Sequence, residues 1–373
     1  MTRTKLSLLL AVSLLLLLGA PHSTHAQPGL RPKDPTAIRR APPSIRASRS
    51  GVATGPVEPP ARIANVRLEI EAPTTAGTWT MRVTNEDDVP VRIVADARLI
   101  TLDVTPRSAR KAEHCELPQD MRPADDLQRP LVLPPKRSYV ESFEPRLYCF
   151  GERKLNALAP GAIVVAHLGW TDRGARALEV SSIDGVSPEI APRPAIDAPP
   201  IALSDEPTAT SVPTLPLSTE ADLPRLSLQS PRAVDATSPN GLEIPVTLRN
   251  SGTRAAIVRF RPDTLGFDLV RDGVGEHCTW PVLSAAPMRE LFTTVPPKGT
   301  VTLTVMLIAF CTGHALDQGG LLIVRPRLDT RKASGDSIGL RAFDGQVLAT
   351  APTLVRLHEG LSPAPLVRPR LAD

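Results

Sequence analysis

Glu113-His114-Cys115, then the turn Pro134-Pro135-Lys136, a strand-like run and Cys149: this order returns later as Glu276-His277-Cys278, Pro296-Pro297-Lys298, a second such run and Cys311. The chain is an internal duplication. Of the three ways to pair four cysteines, only Cys115 with Cys149 and Cys278 with Cys311 respects the repeat, with separations of 34 and 33 residues. Two disulfides are expected, since an exported chain keeps its cysteines oxidised.

Outward from this unit, alternating apolar residues mark strands with one buried face. In the first copy Val66, Leu68 and Ile70 alternate, residues 73–77 make a turn, and Trp79, Met81 and Val83 alternate up to Asn85. A polar corner at 86–88 then leads to Val89, Val91 and Ile93, which predicts a hairpin. Further strands are expected at 99–104, through Tyr139, Phe143, Leu147 and Cys149, and at 163–168, with a weaker one through Leu178, Val180 and Ile183. Glu141 falls on the apolar phase of its run and predicts a bulge or an edge position.

The second copy repeats the order with shifted loops. Leu226 and Leu228 match Leu68 and Ile70. Ile244, Val246, Leu248 and Asn250 match Trp79, Met81, Val83 and Asn85, and Phe267-Asp268-Leu269 matches Leu102-Asp103-Val104. An insertion around Ala236 and Gly241 is read as loop variation. Val301, Leu303, Val305, Leu307, Ala309 and Cys311 share one phase, so a single strand is expected to carry Cys311 into the core.

A chain of 373 residues with 42% hydrophobic content can fill two cores, although aromatics supply only 3% of it. Proline, at 41 residues against 23 glycines, gathers where hydrophobic periodicity lapses. Short strands, frequent turns and no amphipathic helix predict an all-β fold of two tandem antiparallel β-sandwiches, residues 61–190 and 225–358. Between them, 191–224 reads as an extended acidic Pro-rich linker, with Asp197, Asp205, Glu206, Glu220 and Asp222 against Arg193. Residues 359–373 read as a loose tail.

Residues 1–26 read as a signal peptide: Arg3 and Lys5 precede an apolar run at 6–18, and Thr24 and Ala26 supply the small residues of a cleavage site. Export to the periplasm or the extracellular space is expected. No later run reaches the roughly 18 to 20 apolar residues of a bilayer crossing. Removing 1–26 lowers the formal charge from +4 to +2, which gives no ground for specific nucleic-acid binding. The arm at 27–60 is basic, with Arg31, Lys33, Arg39, Arg40, Arg46 and Arg49 against Asp34 and Glu58, and reads as disordered.

The run from Ile244 to Asn250 with Ser251 and Gly252, and Pro297-Lys298-Gly299-Thr300 before an alternating strand, resembles the bacterial immunoglobulin-like modules of the CARDB kind. The first copy keeps Asn85 but has Glu86 and Asp87 in place of Ser-Gly. The resemblance implies immunoglobulin-like sandwiches in a non-catalytic adhesion or spacer role, and it leaves the cysteines unaccounted for.

Three chemistries compete with that reading. Gly335-Asp336-Ser337-Ile338-Gly339 matches the string of a nucleophile elbow, yet no helix pattern follows it. His277, Cys278, Cys311 and His314 could ligate copper or zinc if the cysteines were thiolates, which an oxidising compartment opposes. Trp79, Trp170 and Trp280 are too few for a glycan-binding platform. The sequence therefore points to an exported, non-enzymatic binding, adhesion or envelope-structural protein without a cofactor, facing an unidentified protein or cell-envelope partner, with extracytoplasmic metal binding as the alternative.

Overall fold

The computed structural model describes residues 62–72, 74–75, 77–123, 131–169, 178–179, 190–191, 195–204, 225–281, 288–311, 314–331, 333, 335–361 and 370–371. The expected leader and basic arm lie outside these residues, as do Trp170, Val180, Ile183 and the segment 205–224.

The first module begins with β1 (Arg62–Ile63), β2 (Val66–Glu71) and β3 (Trp79–Asn85), and the last two pair antiparallel from Val66 opposite Asn85 to Glu71 opposite Thr80. Every second residue of β3 is buried, as period-two side chains on a one-sided sheet must be. There follow β4 (Val91–Ile93), β5 (Ile100–Thr105), β6 (Glu113–Glu116), β7 (Leu131–Leu133) and β8 (Ser138–Phe143). The short helices α1 (Pro145–Tyr148) and α2 (Glu152–Ala157) precede β9 (Ile163–Leu168). Small strands complete the module: β10 (Leu178–Glu179), β11 (Ile190–Ala191), β12 (Ile196–Asp197) and β13 (Ile201–Ala202).

In the second module come β14 (Leu226–Gln229), β15 (Ala233–Ala236), β16 (Glu243–Asn250), β17 (Ala256–Val258), β18 (Leu265–Arg271) and β19 (Val274–Thr279). The chain continues through β20 (Thr293–Val295), β21 (Thr300–Met306), β22 (Gly320–Asp329), β23 (Gln346–Leu348) and β24 (Thr353–Leu357), and ends with β25 (Arg370–Leu371).

One sheet of the first module runs β2-β3-β8-β25, and the other runs β12-β9-β5-β6 with β13 also on β9. The second module matches with β14-β16-β21 and β15-β24-β22-β18-β19. Between the layers lie two separate cores. Leu68, Trp79, Met81 and Leu102 are wholly buried in the first, and Leu248, Phe267, Leu322 and Val355 are buried in the second. Side chains of this size contribute about 1.5 to 3 kcal/mol each when fully buried.

Several expectations change. No hairpin joins β3 to β4: β4 pairs β7 and β10 in a separate three-stranded sheet. Asn85 is the reason. It is fully buried, donates through Nδ2 to the carbonyls of Val89 at 2.8 Å, Leu133 at 2.9 Å and Pro134 at 3.2 Å, and accepts from the Asp87 N–H at 2.9 Å. The corner is thereby pinned to the Pro-Pro-Lys turn and carries the chain out of its sheet. Asn250 repeats this with the carbonyls of Arg254 and Val295 and the Gly252 N–H. Lys136 and Lys298 hold the left-handed turn position at the same φ of 59°, and their ammonium groups donate to the carbonyls of Glu86 and Ser251. Asn250→Ala strands two buried carbonyls and an N–H, and should cost about 2 to 3 kcal/mol. A urea midpoint equal to wild type would contradict this.

The insertion at 236–241 is a loop with a 3-10 turn over Pro239–Gly241, and it follows β15, which pairs parallel with β24. The strand to Cys311 stops at Met306, and a 3-10 turn over Leu307–Ala309 delivers the cysteine. Residues 196–202, read as linker, belong to the first module: β12 and β13 pair β9, and Ile196, Ala198 and Leu203 are buried. Proline at 199 and 200 is tolerated because it falls between two short strands. Glu141 sits in an unbroken register opposite Met81, without a bulge. Arg370–Leu371, placed in the loose tail, pairs with β8.

Candidate functional site

The repeated Glu-His-Cys stretches are β6 and the end of β19, each antiparallel to the preceding long strand. Leu102 stands opposite Cys115 and Phe267 opposite Cys278. Alternation sends the cysteines inward, at 0% and 2% exposure, and the histidines outward. Disulfides join Cys115 to Cys149 and Cys278 to Cys311, tying one sheet to the helical turn that follows the other sheet's strand.

On the solvent side, His114 Nδ1 lies 2.8 Å from Asp103 Oδ1, and His277 Nδ1 lies 2.7 Å from Asp268 Oδ1. The histidines thus pair with the aspartate across the ladder. In the first module the row continues, with His167 Nε2 3.3 Å from Asp103 and its Nδ1 2.7 Å from Asp197. Arg327 takes that place in the second module and reaches His277. The sequence signal was present in the matched Asp103 and Asp268, which the alignment of the copies places together but does not connect to histidine.

The metal alternative is not assembled. Cys278 and Cys311 are bonded to each other, so neither is the thiolate a metal needs, and His277 leaves the opposite face of its strand. His314 pairs with Asp317. Among the described residues, no group of three or more His, Cys, Asp or Glu is arranged to hold an ion. Ser337 is exposed in a 3-10 turn, Asp336–Ile338, that ends on left-handed Gly339, not on a strand-to-helix elbow. Trp79 is core, its indole N–H donating to the Thr74 carbonyl at 3.0 Å, and Trp280 packs edge-on against Phe310 at 5.1 Å.

Glu141 is the unusual titrating group. Its carboxylate is 4% exposed and accepts from the Ala97 N–H at 2.7 Å. Burial pushes its pKa up to about 7, helped by the nearby Asp96, while the Ala97 N–H, the Tyr139 hydroxyl and Arg98 pull the other way. The same burial and the Glu141 charge raise Tyr139 and Tyr148, and Tyr148 donates to the Ala97 carbonyl at 2.8 Å. The duplication explains the residue. Met81 opposite Glu141 corresponds to Val246 opposite Leu303, and the place of Ala97, first in the 3-10 turn before β5, is taken by Pro262 before β18. Proline has no N–H to satisfy, so the second module carries leucine where the first needs an acceptor.

A second polar cluster joins the modules. Arg356 on β24 pairs with Asp235, donates through Nη1 to the Leu147 carbonyl at 3.0 Å, and stacks over the Phe150 ring at 4.5 Å. His358 lies with Nδ1 2.6 Å from Asp120 and Nε2 2.8 Å from Asp235, its side chain only 10% exposed. Burial opposes the Asp235 charge, but the Arg356 and His358 hydrogen bonds outweigh it and hold this carboxyl below its ordinary range. Asp120, Leu147 and Phe150 belong to the first module, and Asp235, Arg356 and His358 to the second, so the sandwiches are clasped. Arg356→Ala should cost about 1 to 2 kcal/mol and split urea unfolding into two transitions. A single unchanged transition would show that the clasp carries no coupling.

Among the described residues, no helix is long and apolar enough to cross a membrane. No protein-family model matches the chain, and no curated protein does. Solved structures similar to it include a red sea bream transglutaminase, 13% identical, covering 80% of this chain and 32% of the other, at a TM-score of 0.19. Another is a protein of unknown function from Porphyromonas gingivalis W83, 13% identical over 78% and 98% of the two chains, at 0.18. A 1.5-MDa bacterial ice-binding adhesin is 11% identical over 80% and 66%, at 0.17. This chain therefore spans about a third of the transglutaminase and just under two thirds of the adhesin chain, and similarity at these TM-scores assigns no role.

Proposed function

We propose that this protein acts outside the cytoplasm as a non-catalytic binding or envelope-structural protein, presenting two clasped immunoglobulin-like sandwiches to a protein or cell-envelope partner. The observation that carries this reading is the duplicated disulfide. Each sandwich closes its own bridge, a form of stabilisation that persists in oxidising compartments and is rare where thiols are kept reduced. The polar residues the two copies share, the Asn corners and the His–Asp pairs, serve the fold. The CARDB-like resemblance is supported by the same corner: the Asn250 N–H donates to the Gly299 carbonyl at 3.0 Å and Lys298 reaches the Ser251 carbonyl, so the residues that carry the resemblance form one unit.

The test is fractionation of a bacterial host expressing the full chain, with thiol labelling before and after reduction and a serine-reactive probe. Four thiols that appear only after reduction, in an extracytoplasmic fraction, are expected. A cytoplasmic protein with four free thiols, or labelling of Ser337, would sink the reading.

A further inference from the structure

Strand β21 pairs β16 on one side, and among the described residues no strand pairs its other edge. Its counterpart β8 is paired on both edges, by β3 and by β25. Val301 and Leu303 are only half-buried and Met306 is 49% exposed, whereas Tyr139 and Glu141 on β8 are 7% and 4% exposed. Open edges are ordinarily guarded by charge, proline, a bulge or shortness. That holds for β2 with Arg67, Glu69 and Glu71, for β6 with Glu113 and Glu116, for β19 with Glu276, and for the four-residue β14. Thr300 to Met306 contains no charged residue, proline or glycine.

The strand's own sequence supplies a partner. Thr300-Val301-Thr302-Leu303-Thr304-Val305-Met306 reads nearly the same in both directions about Leu303. Turned end for end against itself, it sets Thr302 opposite Thr304, Val301 opposite Val305 and Leu303 opposite Leu303, and only Thr300 with Met306 joins unlike residues. Ser138 to Phe143 of β8 has no such symmetry. The backbone agrees. Just past one end of β21 the Leu307 N–H donates to the Leu242 carbonyl at 3.0 Å, and just before the other the Gly299 carbonyl accepts from the Asn250 N–H at 3.0 Å, both toward the β16 side. Main-chain groups alternate between the two edges of a strand, so Thr300, Thr302, Thr304 and Met306 aim their N–H and C=O outward. A two-fold axis at Leu303 then lets Thr302 exchange paired hydrogen bonds with Thr304, and Thr300 with Met306, while Leu303 meets its copy at the closer, non-hydrogen-bonded position. No other centre pairs the whole strand.

We propose that β21 is a self-docking edge: a second copy of this chain adds its own β21 antiparallel across a two-fold axis at Leu303, joining the β14-β16-β21 sheets of both copies into one continuous sheet. Each copy supplies one such edge and takes one, so the pairing closes at two molecules and leaves β25 on β8. Main-chain hydrogen bonds supply the attraction, and Val301 and Leu303 gain apolar cover. On the outer face, the Thr247–Thr302 hydroxyl contact at 2.8 Å extends to Thr304 of the other copy as a cross-strand threonine pair. This pairing goes beyond the foreign partner proposed above, and neither depends on the other.

Sedimentation equilibrium of the full chain tests this, with two double variants at the exposed positions 302 and 304. Thr302→Lys with Thr304→Lys sets like charges opposite each other across the axis, and Thr302→Lys with Thr304→Glu sets opposite charges there. The full chain is expected to rise with concentration to twice its monomer mass and stop. The double-lysine variant should associate at least about tenfold more weakly, and the lysine–glutamate variant should return to within about threefold of wild type. A full chain that stays monomeric or grows past two, a double-lysine variant as tight as wild type, or a lysine–glutamate variant as weak as the double-lysine one would overturn the proposal. Far-ultraviolet circular dichroism and the melting midpoint identify any variant that fails to fold, and amide hydrogen exchange of the unaltered chain then decides. The Thr302 and Thr304 N–H groups should exchange more slowly as concentration rises, and rates that do not change on dilution would overturn the pairing.

Discussion

Replacing Cys278 and Cys311 together by alanine lowers the stability of the second sandwich by about 3 to 4 kcal/mol, because the bridge closes a 33-residue segment and restricts the unfolded chain. The loss falls on a module in which buried Phe267, opposite Cys278, and buried Phe310, next to Cys311, pack edge-on with ring centroids 5.0 Å apart. Trp280, edge-on to Phe310, reports the second module by fluorescence, while fully buried Trp79 reports the first. The Trp280 signal should shift to lower urea, and the Trp79 signal should follow only as far as the Arg356 clasp couples the modules. Equal midpoints with and without the bridge would remove the covalent staple from the account of stability.

Glu141→Gln abolishes a pH dependence that the wild type should show. The folded pKa, about 7, stands above the ordinary value of 4.5. Folding therefore favours the protonated form. The contribution to stability is fully present below the unfolded pKa and is lost as pH rises through the folded one. Across that window the wild type should lose roughly 3 kcal/mol, and the glutamine variant, neutral throughout and still able to accept from Ala97, should lose none of it. At pH 8 the variant should be the more stable protein. Parallel urea midpoints for the two proteins from pH 5 to pH 8 would refute the assignment of this group. Leu303, at the place in the second module that matches Glu141, is the internal control: Leu303→Ala should change stability without changing its slope with pH.

Periodicity and duplication were legible because both are local. A strand with one face in a core must alternate, so β2, β3, β5, β9 and β16 could be read residue by residue. The repeated spacing selected the disulfide pairing without coordinates. Pro262 and Leu303, standing at the places that Ala97 and Glu141 hold in the first copy, were also legible in principle as a paired difference between the copies. The composition of 191–224 misled, because proline and acid content obscured the buried Ile196, Ala198 and Leu203.

The amino-acid sequence by itself determined that this is a doubled, all-β, twice-bridged chain, since alternation and cysteine spacing are properties of short segments. Only the tertiary structure decided where the Asn85 corner leads, which N–H the Glu141 carboxylate answers across 44 residues, and that His358 meets Asp120 across 238. A hydrogen bond between distant residues leaves no periodic trace in the chain. It exists only once packing has brought donor and acceptor together and excluded water from around them.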